Sequence, residues 1–279
     1  MTRTIKVIKK RPKKFGKKVD PVSIQRAIWT AGHLTILIFG LLFSVTYFFH
    51  VLLFFKYRSW KWLFLRVNHN YSIIKGHRWY HAVMRFMPEL FFRFSLIGVF
   101  ITSGVTMFQN WSGLKPTWYD LLSSPNFQTT LIAGLWFVGG GKSFYKLLPF
   151  MLISFLHLKN RKVEVTKEDE KTFDELTLEN KHILHVLAYS EIFILFTLFL
   201  DTILLKTGTS GFLLVFYTCF FWLRLNFAPY IQVTVLRLLA KTDKKIPPKY
   251  VSYWETFRRF VYAKIKQLGI QRQEASKRT

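Results

Sequence analysis

The longest stretch without a charged residue begins after the first 26 residues of the chain. Residues 27–55 contain no Asp, Glu, Lys or Arg over 29 positions. About 20 such residues suffice to cross a hydrocarbon core about 30 Å thick. Because this run is too long for the apolar stretch of a cleaved signal peptide, it predicts a retained signal-anchor helix.

Two further apolar regions follow, and the second of them is broken. Residues 90–108 are interrupted only by Arg93, near their start, whose side chain we expect to snorkel to the interface. Residues 121–141 carry no charge and end in a triple glycine, and two lysines then precede the next apolar run at 147–158. This interruption predicts a helix break, or two short half-helices, instead of one smooth span.

The last two apolar runs are residues 183–205 and 207–236. The polar, glycine-containing stretch at 206–211, where they meet, is typical of the tight turn of a helical hairpin. The pattern predicts an all-α, polytopic integral membrane protein with four to five membrane-embedded helical segments. The predicted organisation is a basic cytosolic head (1–26), a helical membrane domain (27–236) and a basic cytosolic tail (237–279) that contains an amphipathic helix at about 250–268.

The tail helix has the pattern of a membrane-binding segment. Two prolines precede it, and Ser252 with Glu255 has the spacing of a capping box. Apolar residues at steps of three and four predict one apolar face, with basic residues opposite or at its edges. This composition predicts a helix in the interfacial plane of a membrane, and packing against the membrane domain or a neighbouring protein is the alternative. The predicted membrane-binding residues are Tyr250, Tyr253, Trp254, Phe257, Phe260, Val261, Ile265 and Leu268, with Arg258, Arg259, Lys264 and Lys266.

Composition supports a membrane location and adds a strong positive charge. The chain is 51% hydrophobic and 18% aromatic, which argues against an ordinary cytosolic enzyme, and its net charge is +26. Such a balance requires an anionic partner: phospholipid head groups, nucleic acid or an acidic protein surface. Because the charge is concentrated in the head, the tail and the first loop, it favours phospholipid, especially anionic lipid, over nucleic acid. The single cysteine, Cys219, excludes an internal disulfide framework.

The distribution of basic residues gives a partly conflicting topology. Nine basic residues in 1–18 and twelve in 237–279 place both termini in the cytosol. The loop at 56–89 also carries seven basic residues, although a single crossing by 27–55 would place it in the lumen. Either the first run is a shallow hairpin or re-entrant wedge, or the charge rule fails here. Two glycosylation sequons, at Asn70 and Asn110, offer a test.

Catalytic, metal and cofactor signatures are not found. Residues 208–211, Gly-Thr-Ser-Gly, match the rhomboid protease motif, but that chemistry needs a later histidine and every histidine lies at or before His185. The His77/His81 and His182/His185 pairs lack the adjacent histidines of membrane di-iron oxygenases. We therefore expect a non-enzymatic protein with no catalytic residue, metal ligand or cofactor.

Six charged residues in or beside the apolar runs are candidates for function, because ionisable groups inside a membrane are costly. Internal ion pairing or snorkelling is the expected role. A channel, a transporter or a lipid-handling enzyme that uses these charges is the alternative. The residues are Arg93, Lys142, Lys146, Glu191, Asp201 and Arg224.

The features of the chain follow one another in a definite order: a basic head, a long first apolar run, a basic loop rich in Trp, Tyr and His, a closing hairpin and a final motif. The loop contains Trp60-Lys61-Trp62 and His77-Arg78-Trp79-Tyr80, and the final motif is Arg224-Leu225-Asn226-Phe227-Ala228-Pro229-Tyr230. This order resembles the transmembrane protein 33 family, especially its fungal members, the pore-membrane proteins of about 33 kDa, and the likeness covers roughly residues 27–270.

The resemblance implies a protein of the endoplasmic reticulum and nuclear envelope that works with reticulon-type membrane-shaping proteins. It also implies a contribution to nuclear pore complex distribution or assembly, and therefore nucleoporins as partners. A C-terminal amphipathic helix that binds curved membrane and an importin is a further implied feature. A third function class remains open, a nuclear-transport adaptor in which the basic head (for example Lys9-Lys10-Arg11) or the tail is the essential part.

Overall fold

The computed structural model describes residues 21–57, 78–112, 115–139, 141–161, 179–204, 209–243 and 245–278, and within these ranges the chain is helical without strands. The acidic segment at 162–178 and the basic head lie outside the described residues. The helices are α1 (Pro21–Tyr57), α2 (Trp79–Trp111), α3 (Trp118–Ser123), α4 (Pro125–Val138), α5 (Phe144–Lys159), α6 (Lys181–Ile203), α7 (Ser210–Phe227), α8 (Pro229–Asp243) and α9 (Val251–Arg278), the last preceded by a 3₁₀ turn at Pro248–Tyr250.

Four of the described helices are long and apolar enough to cross a membrane. They are α1, α2, α6 and α7, with spans of Val22–Phe49, Trp79–Trp111, Lys181–Ile203 and Ser210–Phe227. Helices α4 and α5 are also largely apolar, but at 14 and 16 residues they extend only about 21 and 24 Å. The predicted all-α membrane architecture is confirmed.

Helices α1 and α2 form a closely packed antiparallel pair. A Cβ atom added to Gly98 would lie 2.9 Å from the carbonyl oxygen of Gly32, so only glycine permits the two backbones to approach this closely. Nearby, the Ser95 hydroxyl donates a hydrogen bond to the backbone oxygen of Ile36. At the end of the pair that holds the start of α1, Gln109 donates to Gln25.

The suggestion of a re-entrant wedge in the first apolar run is wrong. Helix α1 is continuous from Pro21 to Tyr57 and is about 55 Å long. A hairpin within residues 27–55 would need a break in the backbone hydrogen bonds, and the helix has none. The ends of α1 therefore lie at opposite ends of the bundle.

The break in the third apolar region is confirmed. Helix α4 ends at Val138 and α5 begins at Phe144, so the glycine-rich stretch separates two short antiparallel helices. Lys142 in this connection forms an ion pair with Glu89 of α2 at 2.5 Å. The connection is thereby held against the second helix at the end of the bundle opposite Pro21.

Three expected helix boundaries are wrong. The run at 207–236 is not one helix, because α7 ends at Phe227 and α8 starts at Pro229, a residue without the backbone N–H that would continue the helix. The tail helix starts at Val251, so Ser252 lies inside its first turn and is not a cap. The helix also continues to Arg278, ten residues past the predicted end.

A core of apolar residues joins the helices at mid-height. It includes Phe43 of α1, Leu96 of α2, Trp136 of α4 and Leu198 of α6, all at most 2% exposed. Because α6 and α7 are antiparallel, the start of α6 and the end of α7 lie at the same end of the bundle as Pro21. Helices α8 and α9 follow at that end.

Candidate membrane interface and buried ion pair

The tail helix α9 is docked against the membrane domain through one edge. Its Trp254 indole nitrogen donates to Asp243 Oδ1 at 2.5 Å, and Arg258 Nη1 lies 2.6 Å from Asp243 Oδ2. Val261 is buried, and Ile265 packs on a small cluster formed by Ala188, Leu225 and Ile231 at the end of the bundle. Packing against the membrane domain, the alternative interpretation of the sequence, therefore describes this edge of the helix.

The hydrogen bond from Trp254, together with the neighbouring Arg258 guanidinium, lowers the pKa of Asp243 below its ordinary value. Both partners interact with the ionised carboxylate, so docking of α9 is linked to the charge of Asp243. This carboxylate connects the end of α8 to the first turns of α9.

A second edge of α9 is aromatic and largely exposed. Tyr253, Phe257 and Phe260 are 79%, 52% and 58% exposed, and Tyr250 just before the helix is also exposed. The sequence pattern placed the buried and the exposed apolar residues on a single face. The structure divides them, because one side of the helix is buried against the protein and the adjacent side is mostly exposed. The side chains of Lys266 and Leu268 lie outside the described residues.

The aromatic edge continues the outer surface of α7. The Phe260 ring stacks on the Trp222 ring with centroids 6.4 Å apart and an interplanar angle of 16°. Trp222 belongs to a spanning helix whose Phe212, Val215 and Phe216 are exposed on the outside of the bundle. The exposed aromatics of α9 thus adjoin an apolar surface of the membrane domain.

The predicted basic residues of α9 have different surroundings. Arg258 is bound to Asp243, whereas Arg259 points outward and pairs with Glu255 at 3.3 Å. Lys264 is half-buried beside the aromatic edge. A helix with one docked edge, one exposed aromatic edge and one charged edge fits the corner between a protein wall, the bilayer and water.

An ion pair is buried between α6 and α7. Glu191 Oε1 and Arg224 Nη1 are 3.0 Å apart, and both side chains are at most 5% exposed. Arg224 also donates to the Tyr230 hydroxyl at 2.9 Å and to the Thr129 hydroxyl at 2.8 Å. The Tyr217 hydroxyl donates to the backbone oxygen of Glu191. One guanidinium therefore ties α4, α6, α7 and α8 together.

The expected internal pairing is confirmed for four of the six charged residues in the apolar runs. Besides Glu191 and Arg224, Arg93 and Lys142 both bind Glu89, at 2.8 and 2.5 Å. Lys146 donates to the backbone oxygen of Gly141 and lies over the Trp136 ring at 4.6 Å. These ion pairs and hydrogen bonds replace the interactions with water that the charged groups lose inside the bundle.

Sequence reasoning missed the hydroxyl partners of Arg224. Tyr230 lies in the same short segment as Arg224, so the spacing offered a signal for this contact. Thr129 lies 95 positions away, and no feature of the sequence indicates that contact. Among the described residues, no group of three or more His, Cys, Asp or Glu side chains is arranged to hold a metal ion. His185 instead contacts Thr234 and Arg237 of α8.

Comparison with known proteins supports a membrane family. No family model matches the chain, and no solved structure matches it. A protein of Saccharomyces cerevisiae, described as uncharacterized membrane protein YGR026W, is 55% identical over 267 residues, which cover 96% of each chain. Identity of this extent includes the whole membrane domain and most of the tail. The chain therefore belongs to the same membrane protein family as YGR026W.

Proposed function

We propose that this chain is a non-enzymatic protein of the endoplasmic reticulum and nuclear envelope that shapes or senses membrane curvature. Reticulon-type proteins and nucleoporins are its proposed partners, and its proposed role includes support of nuclear pore complex distribution or assembly. The resemblance to the transmembrane protein 33 family supports this location and these partners. An importin that binds the basic tail is a further proposed partner.

The observation that carries the proposal is the exposed aromatic edge of α9 beside the outer surface of α7. Tyr253, Phe257 and Phe260 would insert into the boundary between head groups and acyl chains while Val261 and Ile265 hold the helix against the bundle. Insertion at this depth expands one leaflet more than the other. Each basic residue near the membrane surface adds about 1 kcal/mol of binding free energy, because it is attracted to anionic lipid.

The proposed orientation places the Pro21 end of the bundle in the cytosol. Residues 1–18, which precede this end in the sequence, and the tail, which follows it, contribute 21 basic residues. The sequence 56–89, which connects α1 to α2, has only seven basic residues, so the charge bias still favours the head and tail side. The cytosolic leaflet is then the one that α9 expands.

The pairing of the intramembrane charges supports this proposal over a channel, a transporter or a lipid-handling enzyme. A solute path needs charged groups that reach water or a substrate. Glu191 and Arg224 instead satisfy each other and neighbouring hydroxyls inside the bundle.

The test compares the full-length protein in a mixture of small and large liposomes that contain phosphatidylcholine and phosphatidylserine. The wild-type protein is expected to reach a higher number of molecules per membrane area on small vesicles than on large ones. The loosely packed outer leaflet of small vesicles accepts the aromatic side chains more readily. Replacement of Tyr253, Phe257 and Phe260 by serine is expected to reduce this preference more than tenfold, since each large apolar side chain contributes about 1.5 to 3 kcal/mol on burial. Fluorescence per vesicle area, measured against vesicle diameter, gives the result.

The matched control keeps the three positions apolar, as Tyr253→Phe, Phe257→Leu and Phe260→Leu, and should retain the preference. Trp254 is left unchanged, because it donates to Asp243 and its loss would undock the helix. An unchanged preference in the serine variant would rule out the aromatic edge as the curvature-sensing element.

A further inference from the structure

A half-open cavity of about 560 Å³ lies between α1, α2, α4 and α5 at the Pro21 end of the bundle. This volume is within the range of small-molecule sites. The start of α1 and the end of α2 form its mouth, where Gln25 and Gln109 are hydrogen-bonded to each other. The cavity is separate from the docked edge of α9.

The inner wall of the cavity is polar although it lies within the membrane domain. His33 Nδ1 and Ser154 Oγ are 3.1 Å apart, and both residues are buried. The His33 ring is in contact with the rings of Trp29 and His157, at centroid distances of 4.4 and 4.9 Å. Ser103 of α2 adds a buried hydroxyl to the same wall. Lipid tails alone would leave these polar groups poorly solvated.

The electrostatics of the cavity favour an anion. Arg26 lies at the mouth and has no acidic partner in the part of the chain that the structure describes. Among the described residues that line the cavity there is no aspartate or glutamate. Asn126, in the first turn of α4, also lines the mouth, so the positive end of a helix dipole adds to the field.

The rim of the cavity is apolar and opens on the outer surface of the bundle. Val22 and Phe108 line the cavity and are also exposed on the outside of the bundle. An occupant that satisfies the whole site therefore has an anionic, hydrogen-bonding part and an apolar part. We propose that the cavity binds the phosphate-bearing head group of one anionic phospholipid, with Arg26 at the phosphate and the acyl chains passing over Val22 and Phe108.

The test measures lipid retained by the full-length protein with native mass spectrometry. The protein is purified in detergent and incubated with equal amounts of phosphatidylcholine, phosphatidylethanolamine, phosphatidylserine and phosphatidylinositol. The wild type should retain one anionic lipid per chain. Arg26→Gln should reduce this retention about tenfold, the effect of losing one charge-assisted hydrogen bond to phosphate, whereas Arg26→Lys should retain most of it.

Arg85→Gln is the matched control, because it removes the same charge from α2 near the opposite end of the bundle and should leave retention unchanged. Equal retention by Arg26→Gln and the wild type, or equal loss in both glutamine variants, would overturn the proposal. In a second arm, inorganic phosphate is added to the lipid-loaded protein. Displacement of the lipid by an equal concentration of inorganic phosphate would show a phosphate site without lipid specificity and would also overturn it.

Discussion

At the scale of single residues, Arg224 shows how a membrane domain accommodates a charge. Its guanidinium, on α7, binds one carboxylate and two hydroxyl groups, and these three partners come from three other helices. Desolvation of two charges is costly, so a buried pair is weak evidence of net stabilisation. Loss of one partner, however, leaves the other charge uncompensated, which makes the network sensitive to single substitutions.

We expect Glu191→Leu to lower the free energy of unfolding by about 3 to 5 kcal/mol, because Arg224 would remain buried without its carboxylate. The double variant Glu191→Leu/Arg224→Met should recover part of this loss, since neither charge is then buried. Thermal unfolding of the detergent-solubilised protein measures both effects. Glu255→Gln, on the exposed side of α9, is the control and should unfold like the wild type. Equal stability of Glu191→Leu and the wild type would contradict a structural role for the pair.

At the scale of elements, α9 is defined by the division of its apolar residues into two edges. Helical periodicity identifies both sets as one broad face, because they differ by only about a quarter turn. The distinction depends on Asp243 and on the cluster around Ile231, which bind Trp254 and Ile265 but leave Phe257 exposed. A single carboxylate thus helps to decide which edge of the helix is free to meet lipid.

The lowered pKa of Asp243 predicts a pH dependence of docking. A carboxylate with a depressed pKa in the docked state contributes stability above the ordinary pKa of the undocked form, about 3.8, and this contribution is lost as the pH falls through the lower pKa of the docked form. The protection of α9 amides from hydrogen exchange, measured relative to the intrinsic exchange rate, should therefore be high from pH 7 down to about pH 4. Below about pH 4 this protection should decrease. Asp243→Asn should exchange faster already at pH 7, with Glu255→Gln as a control. If Asp243→Asn and the wild type exchange equally at pH 7, the carboxylate does not hold the helix.

At the scale of the whole molecule, continuous α1 and the antiparallel order of the later helices decide the topology. The start of α1 and the end of α7 lie at one end of the bundle, and the ends of α1 and α6 lie at the other. The basic loop at 56–89 is consequently connected to the end opposite Pro21. Positive charge at both ends made this arrangement ambiguous in the sequence.

The two sequons give opposite predictions under the proposed orientation. Asn110, beside the Gln25–Gln109 hydrogen bond, belongs to the proposed cytosolic end. Asn70 lies in the sequence that connects the end of α1 to the start of α2, away from Pro21. Translation in microsomes should therefore add one glycan, which Asn70→Gln removes and Asn110→Gln does not. Glycosylation at Asn110 alone would reverse the proposed orientation.

Local properties of the chain account for the correct predictions. Uninterrupted apolar runs predict membrane helices because the bilayer core accepts few unpaired polar groups. The break between α4 and α5 follows from glycines, and the amphipathic character of α9 follows from residue spacing. The end of α7 was missed although Pro229 marks it, because the apolar pattern continues through the proline.

The membrane class, the approximate helices and the candidates for internal ion pairs follow from the amino-acid sequence, because these depend on composition and on neighbours along one helix. The continuity of α1, the two edges of α9 and the cavity at Arg26 emerge only from the tertiary structure. Each of these depends on groups that are distant in sequence, such as His33 and Ser154, 121 positions apart. Their proximity results from the packing of whole helices, which local periodicity does not encode.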